Sequence, residues 1–164
     1  MTRATSTASG CLWAVTAGAV AAVAAALVSQ HVYDMQPCPW CVLQRAMFLL
    51  IAVLAGVAAL WNSRPARLVL SGAVDALCTA GVAAALWQHL VAASSSSCNL
   101  TLADRIVTGL GLDALAPEVF APRASCADAA VNLLGVPYAY WSLAAFVLLG
   151  TAAGWAMVAT LRQR

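Results

Sequence analysis

Two cysteines with two residues between them, Cys38 and Cys41, stand directly before a long apolar stretch. Thiols at this spacing can close a small disulfide ring that is easily reduced and reoxidised. The stretch after them, residues 42–61, is long enough to cross a lipid bilayer. A thiol pair at the edge of the lipid is well placed to exchange electrons with a hydrophobic carrier. The first hypothesis is therefore thiol redox chemistry at a membrane.

The residues around this pair indicate which sulfur is the more reactive. Pro39 suits the first position of a helix, which would make Cys38 the N-cap and put Cys41 in the first turn. Free backbone N–H groups and the positive end of the helix dipole favour an anion there. Arg45 lies one turn further along the same face and adds a cation. We predict that Cys41 carries the thiolate and that Cys38, at the outer rim, is more open to a second thiol.

The composition indicates which elements position the pair. Hydrophobic residues make up 63% of the chain and charged residues 9%, and the mean hydropathy is +0.88, which leaves too little polar surface for a soluble protein. Four stretches have roughly the 20 apolar residues that a spanning helix needs. They are residues 12–28, 42–61, 68–91 and 138–161. We predict an all-α membrane protein, a single domain of 164 residues built as a bundle of four transmembrane helices.

The basic residues, all of them arginine, predict how this bundle is oriented. Most fall in the N-terminal tail, the middle loop and the C-terminal tail, namely Arg3, Arg64, Arg67, Arg162 and Arg164. Positively charged segments stay in the cytoplasm, so both termini are predicted to be cytoplasmic. Two loops, residues 29–41 and 92–137, then lie outside. The net charge of +2 follows from this topology and gives no support to a nucleic-acid partner.

Four of the six cysteines fall in the two outer loops or at their edge: Cys38, Cys41, Cys98 and Cys126. Disulfides persist on this oxidising side of a membrane. Four cysteines permit two disulfides in three possible connectivities, and the sequence does not determine which one forms. The other two cysteines lie within spans, where we interpret them as small buried apolar side chains.

The long outer loop contains a helix signal close to its end. Ser125 suits an N-cap, Asp128 follows it at capping-box spacing, and Gly135 and Pro137 suit a helix end. Apolar residues recur between them at helical spacing: Ala127, Ala130, Val131 and Leu134. We therefore expect a short amphipathic helix that lies flat on the outer membrane surface.

Other uses of a Cys-x-x-Cys pair have less support. A zinc site would have to be completed by two lone, widely separated cysteines, so we predict no metal. Val42 stands where covalent haem attachment needs histidine. No strand–helix–strand pattern supports a soluble thioredoxin-like fold. Structural disulfides in a non-enzymatic membrane scaffold remain an alternative.

The motifs together resemble DsbB, the bacterial inner-membrane family that reoxidises the periplasmic dithiol oxidase DsbA and passes the electrons to quinone. The likeness covers most of the chain: four spans, a Pro-Cys-x-x-Cys motif opening the second, an arginine four residues later, one cysteine at each side of a long second loop, the run 134–137, and Trp-Ser-Leu at 141–143. It implies that the two outer loops are periplasmic. A vitamin K epoxide reductase-type membrane enzyme is a second alternative, although that family carries its Cys-x-x-Cys pair in a later helix.

The resemblance also implies roles for the four outer cysteines. Cys98 would form the mixed disulfide with a DsbA-like soluble oxidase and release Cys126. Cys126 would then engage Cys38, while Cys41 gives its electrons to quinone. We expect the pKa of Cys126 to be lowered by the start of its own short helix, which would make it a good leaving group.

A quinone site is the last implication of the resemblance, with ubiquinone or menaquinone as the cofactor. Arg45 matches the quinone-site arginine of the family, and we include its neighbour Gln44 as a candidate contact. Gln88 and His89 resemble a glutamate–histidine pair near that pocket, with glutamine in place of the acid. We expect His89 to contact the quinone and leave any electrostatic role of Gln88 open.

Overall fold

The computed structural model describes residues 2–61, 63–94 and 101–162, and four of its helices are long and apolar enough to cross a membrane. These four are α1 (Thr2–Val32), α2 (Pro39–Leu60), α3 (Arg64–Leu90) and α7 (Tyr138–Leu161). Among the described residues between α3 and α7, a 3-10 helix (Ala92–Ser94) is followed by three short α-helices: α4 (Leu102–Gly109), α5 (Leu112–Leu115) and α6 (Pro117–Phe120). Each stretch predicted to span the membrane overlaps one long helix. The predicted four-helix membrane bundle is therefore confirmed.

Small residues allow the four long helices to pack closely. Alanines at 19, 55, 58, 153 and 156 are buried along the centre of the bundle. Phe48 of α2 and Phe146 of α7 stack there, with ring centroids 4.0 Å apart and planes 6° from parallel. A Cβ atom at Gly81 would collide with the ring of Phe146, so only glycine lets α3 approach α7 at this level. Close approach matters because helices in lipid associate through van der Waals packing rather than through the hydrophobic effect.

The start of α2 follows the local prediction. Cys38 is the N-cap residue in an extended conformation, and its sulfur accepts a hydrogen bond from the backbone N–H of Cys41 at 3.3 Å. Pro39 occupies the first helical turn. The two sulfurs are thereby placed at the end of a membrane-spanning helix.

The long loop folds back over this end of the bundle. Val107 of α4 and Phe120 of α6 pack against Val42 near the start of α2. The two loops are also joined through their backbones, because the carbonyl of Pro37 accepts hydrogen bonds from the N–H groups of residues 123 and 124, at 2.9 and 3.2 Å. These contacts bring the segment that carries Cys126 onto the start of α2.

The amphipathic helix predicted at residues 125–134 does not form. Ser125 and Asp128 do make the expected local hydrogen bonds, but the chain continues as turns and then as a two-stranded antiparallel hairpin, β1 (Asn132–Leu133) and β2 (Val136–Pro137). Leu134 and Gly135 form its two-residue turn with φ of 55° and 81°. Two positive φ angles in succession belong to a tight hairpin turn and are incompatible with a helix.

The short amphipathic helix of this loop is instead α4. Ala103 and Val107 face the bundle, whereas Leu102 and Ile106 are exposed. A reciprocal capping box between Thr101 and Asp104 starts the helix. The loop therefore contains the expected kind of helix at a different place in the sequence.

Candidate functional site

Three sulfurs meet at the start of α2. The sulfur of Cys38 lies 2.8 Å from that of Cys41 on one side, and Cys126 hydrogen-bonds it on the other. Cys38 and Cys126 belong to one buried cluster with Trp40. All three cysteines carry free thiols. Cys98, the fourth predicted member, lies outside the described residues.

Cys38 is the central sulfur but not the exposed one. It is 0% exposed because the second loop covers it, whereas Cys41 is partly exposed. Cys38 therefore does not lie at the open rim where we expected it. The predicted access of a second thiol to Cys38 is nevertheless present, because the loop brings Cys126 to it.

Hydrogen bonding makes Cys38 and Cys126 chemically unequal. Hydrogen bonds with Cys126 and Cys41, together with burial, raise the pKa of the Cys38 thiol well above its usual range. The hydrogen bond with Cys38 lowers the pKa of Cys126, with burial opposing it. The predicted direction for Cys126 is confirmed, but its cause is Cys38 and not a helix start, since no helix forms there.

A cavity of about 710 Å³ opens beside Cys41. It lies between α1, α2 and α7 beneath the two loops, and its wall combines apolar and polar side chains that include Ala22, Ala26, Cys41, Gln44, Arg45, Phe48 and Trp141. The volume is within the range of pockets that enclose a small organic molecule. Its position gives a bound molecule contact with both the Cys41 sulfur and the lipid-facing helices.

Arg45 is the buried cation of this cavity, with 5% of its surface exposed. Its guanidinium donates to the side-chain oxygen of Gln30 at 2.7 Å and to the carbonyls of Val119 at 3.0 Å and Ala26 at 3.2 Å. Within the described part of the chain, no carboxylate pairs with it. Neutral dipoles hold the group in place and leave its charge available to an anion.

Two glutamines connect α2, α3 and the reactive sulfur. Gln44 donates from Nε2 to Oε1 of Gln88 at 2.7 Å, and Gln88 donates from Nε2 to the sulfur of Cys41 at 3.2 Å. By resemblance to the family, Gln88 was expected near the quinone pocket, with its electrostatic role left open. The available signal was a polar side chain near the end of an apolar span, where such groups are usually functional.

His89 does not join the large cavity. Its ring packs on that of Tyr140, with centroids 4.7 Å apart, and it lines a separate cavity of about 90 Å³ together with Cys126. One residue of helix corresponds to a rotation of about 100°, so Gln88 and His89 cannot both face Cys41. The structure thus brings together Cys38, Cys41, Cys126, Arg45 and Gln44. His89 lies beside Cys126 but outside the large cavity.

Comparison with known proteins agrees with this geometry. The family described as "Disulfide bond formation protein DsbB" matches residues 8–156. "Disulfide bond formation protein B 1" of Pseudomonas savastanoi pv. phaseolicola is 36% identical over 132 residues, covering 79% of this chain and 77% of that protein. "Disulfide bond formation protein B" of Polaromonas naphthalenivorans is 30% identical over 150 residues, covering 90% and 89%. No solved structure matches. These matches favour the family over both alternatives weighed above, and the chain belongs to the DsbB family of disulfide bond formation proteins.

Proposed function

We propose that this protein is a thiol oxidase of the bacterial inner membrane that reoxidises a periplasmic DsbA-like dithiol oxidase and transfers two electrons to membrane quinone. The observation that carries the proposal is the row of sulfurs from Cys126 through Cys38 to Cys41, which ends at a cavity containing the buried cation Arg45. Such a row connects the second loop with a cavity walled by membrane-spanning helices.

The first exchanges move electrons from the partner to the second loop. A thiolate of the partner attacks Cys98 of a Cys98–Cys126 disulfide, and Cys126 leaves as the thiolate. The partner's second thiol then attacks its own mixed-disulfide sulfur. This releases Cys98 and leaves the partner oxidised. Cys126 lies in contact with Cys38, so the released sulfur is already beside the sulfur that it attacks next.

The next exchanges move the same two electrons to α2. The Cys126 thiolate attacks Cys38 of a Cys38–Cys41 disulfide, so that a Cys126–Cys38 bond forms and Cys41 leaves as the thiolate. Cys98 then attacks Cys126, which restores the loop disulfide and releases Cys38. Cys38 and Cys41 are now both reduced, and their sulfurs lie 2.8 Å apart, close enough to form the disulfide again.

The cavity fits a quinone by size and by the chemistry of its lining. Its apolar surfaces suit a hydrophobic ring, and Arg45 lies where negative charge would develop on a ring oxygen. When bound, a ubiquinone or menaquinone accepts the two electrons and two protons and becomes the quinol. An acceptor of this kind is needed because a DsbA-type partner is itself a strong oxidant, with a reduction potential of about −120 mV. For a two-electron transfer, every 30 mV or so by which the acceptor's potential lies below that of the partner costs about 1.4 kcal/mol.

The proposal is tested by following quinone absorbance while purified protein is mixed with a reduced thioredoxin-like oxidase and a soluble quinone. We expect quinone reduction that requires both substrates and is lost in Cys41→Ser and Cys126→Ser. Cys11→Ser is the matched control, since Cys11 packs beside the bundle core away from the three sulfurs, and it should keep the wild-type rate. Full activity in either of the first two variants would contradict the proposed path.

A further inference from the structure

The contact between α3 and the Cys41 sulfur is made by a side chain with no assigned role. Gln88 is 5% exposed and Gln44, which bonds to it, is 3% exposed. The two carboxamides and the sulfur form one chain of hydrogen bonds from Gln44 to Gln88 to Cys41, with lengths of 2.7 and 3.2 Å. Buried amides need such partners because leaving their polar atoms unpaired is costly.

The direction of this chain follows from the chemistry of an amide. Each carboxamide has one end that donates and one that accepts. Because Gln44 donates to the oxygen of Gln88, the NH₂ group of Gln88 is the end that faces the sulfur. The reversed orientation would place a carbonyl oxygen against Cys41, where it would repel a thiolate. Gln44 therefore fixes Gln88 as a donor.

We infer that Gln88 is a positioning residue for Cys41, that it stabilises the thiolate with a neutral hydrogen bond, and that Gln44 acts by orienting Gln88. The inference deepens the proposed function. When Cys126 bonds to Cys38, the Cys38–Cys41 bond breaks and its electron pair goes to Cys41. The NH₂ group of Gln88 then donates a hydrogen bond to the newly formed Cys41 thiolate, and no ion pair is required. Arg45 stays hydrogen-bonded to Gln30 beside the cavity.

The test measures how fast iodoacetamide alkylates Cys41 at neutral pH in the fully reduced, quinone-free protein, with each cysteine peptide quantified by mass spectrometry. The alkylation rate follows the thiolate fraction. Gln88→Glu keeps the size of the side chain but replaces the donor by oxygens that accept. Loss of a hydrogen bond to a charged group lowers the population of the charged form by about 10- to 100-fold. We therefore expect the thiolate fraction of Cys41, and with it the alkylation rate, to fall by about that factor.

Further variants separate positioning from structural damage. Gln88→Met removes the donor without adding charge and should slow alkylation less than Gln88→Glu does. Gln44→Met should have a smaller effect that disappears when Gln88 is already Met, because both changes break one chain. Damage to the fold would instead expose Cys41 and speed its alkylation. Asn132→Asp, an exposed amide-to-acid change in the hairpin, is the matched control and should leave the Cys41 rate unchanged.

The outcomes also distinguish this inference from the proposed function. An unchanged Cys41 rate in Gln88→Glu, or a faster rate in a variant that keeps the wild-type melting temperature, overturns the positioning role, even if the wild type reduces quinone. A slowed rate supports the role, and it does so without any quinone or partner present. Failure of the wild type to reduce quinone would overturn the proposed function and leave the alkylation result standing.

Discussion

At the scale of single residues, the three sulfurs differ because their hydrogen bonds differ. Cys38 lies between two other thiols, and its pKa is raised. The hydrogen bond with Cys38 lowers the pKa of Cys126. Cys41 accepts a hydrogen bond from the amide of Gln88. The hydrogen-bond partner of each sulfur therefore contributes to its reactivity, because the thiolate is the nucleophile.

We predict that iodoacetamide labels Cys126 before Cys38 in the reduced protein at pH 7. The raised pKa of Cys38 keeps it protonated through neutral pH, whereas the lowered pKa of Cys126 makes its thiolate available at lower pH than for an ordinary cysteine. Peptide-level mass spectrometry over a time course reads both rates. Cys38→Ala should slow labelling of Cys126, because the hydrogen bond that lowers its pKa is lost. Equal rates for Cys38 and Cys126 would be inconsistent with this assignment.

Arg45 allows a second prediction at this scale. Lysine would keep the charge but cannot bond simultaneously to Gln30 and the two carbonyls that hold the guanidinium. We expect Arg45→Lys to raise the KM for quinone by about tenfold, equivalent to about 1.4 kcal/mol. Arg105→Lys on the exposed side of α4 is the control, and its KM should match wild type. The measurement is quinone reduction at varied quinone concentration.

At the scale of elements, the packing of α3 against α7 orients the residues of α3. Phe146 fills the space that a side chain at Gly81 would need, and this contact helps to fix the rotation of α3. With that rotation, Gln88 faces Cys41 and His89 faces Tyr140. The site thus depends on a helix contact two turns away from it.

We predict that Gly81→Ala destabilises the protein by about 1–3 kcal/mol, because the added methyl group overpacks against Phe146. Gly72→Ala is a matched control in the same helix, since a Cβ there meets nothing within 4 Å and alanine favours helix. Thermal unfolding of both variants in detergent measures the difference. Equal stability of the two variants would argue against the close contact.

At the scale of the whole molecule, the two ends of the bundle differ in charge and chemistry. The sulfurs of Cys38, Cys41 and Cys126 lie at one end, together with the cavity. Arg64 and Arg67 lie at the other, where they donate to the carbonyls of Leu161 and Ala58. Arginine at the ends of spanning helices favours the cytoplasmic side. We propose that the sulfur end faces the periplasm.

A pair of C-terminal fusions in bacteria tests this orientation. We expect a fused green fluorescent protein to be fluorescent and a fused alkaline phosphatase to be inactive, because the first folds in the cytoplasm and the second needs periplasmic disulfides. An active phosphatase fusion would reverse the proposed sidedness and place the sulfurs in the reducing compartment.

The four spans and the start of α2 can be predicted from the amino-acid sequence alone. Spanning a bilayer requires long apolar segments, and an N-cap with proline after it is a local signal, so both are readable without tertiary information. Three other features depend on long-range packing. A hairpin turn forms at Leu134 and Gly135 in place of the helix that the periodicity predicted. The long loop folds over Cys38 and buries it. The rotation of α3 makes Gln88, and not His89, face Cys41. These outcomes depend on which distant surfaces pack together, because adjacent side chains on one helix point in different directions and only the packing decides which of them faces the site.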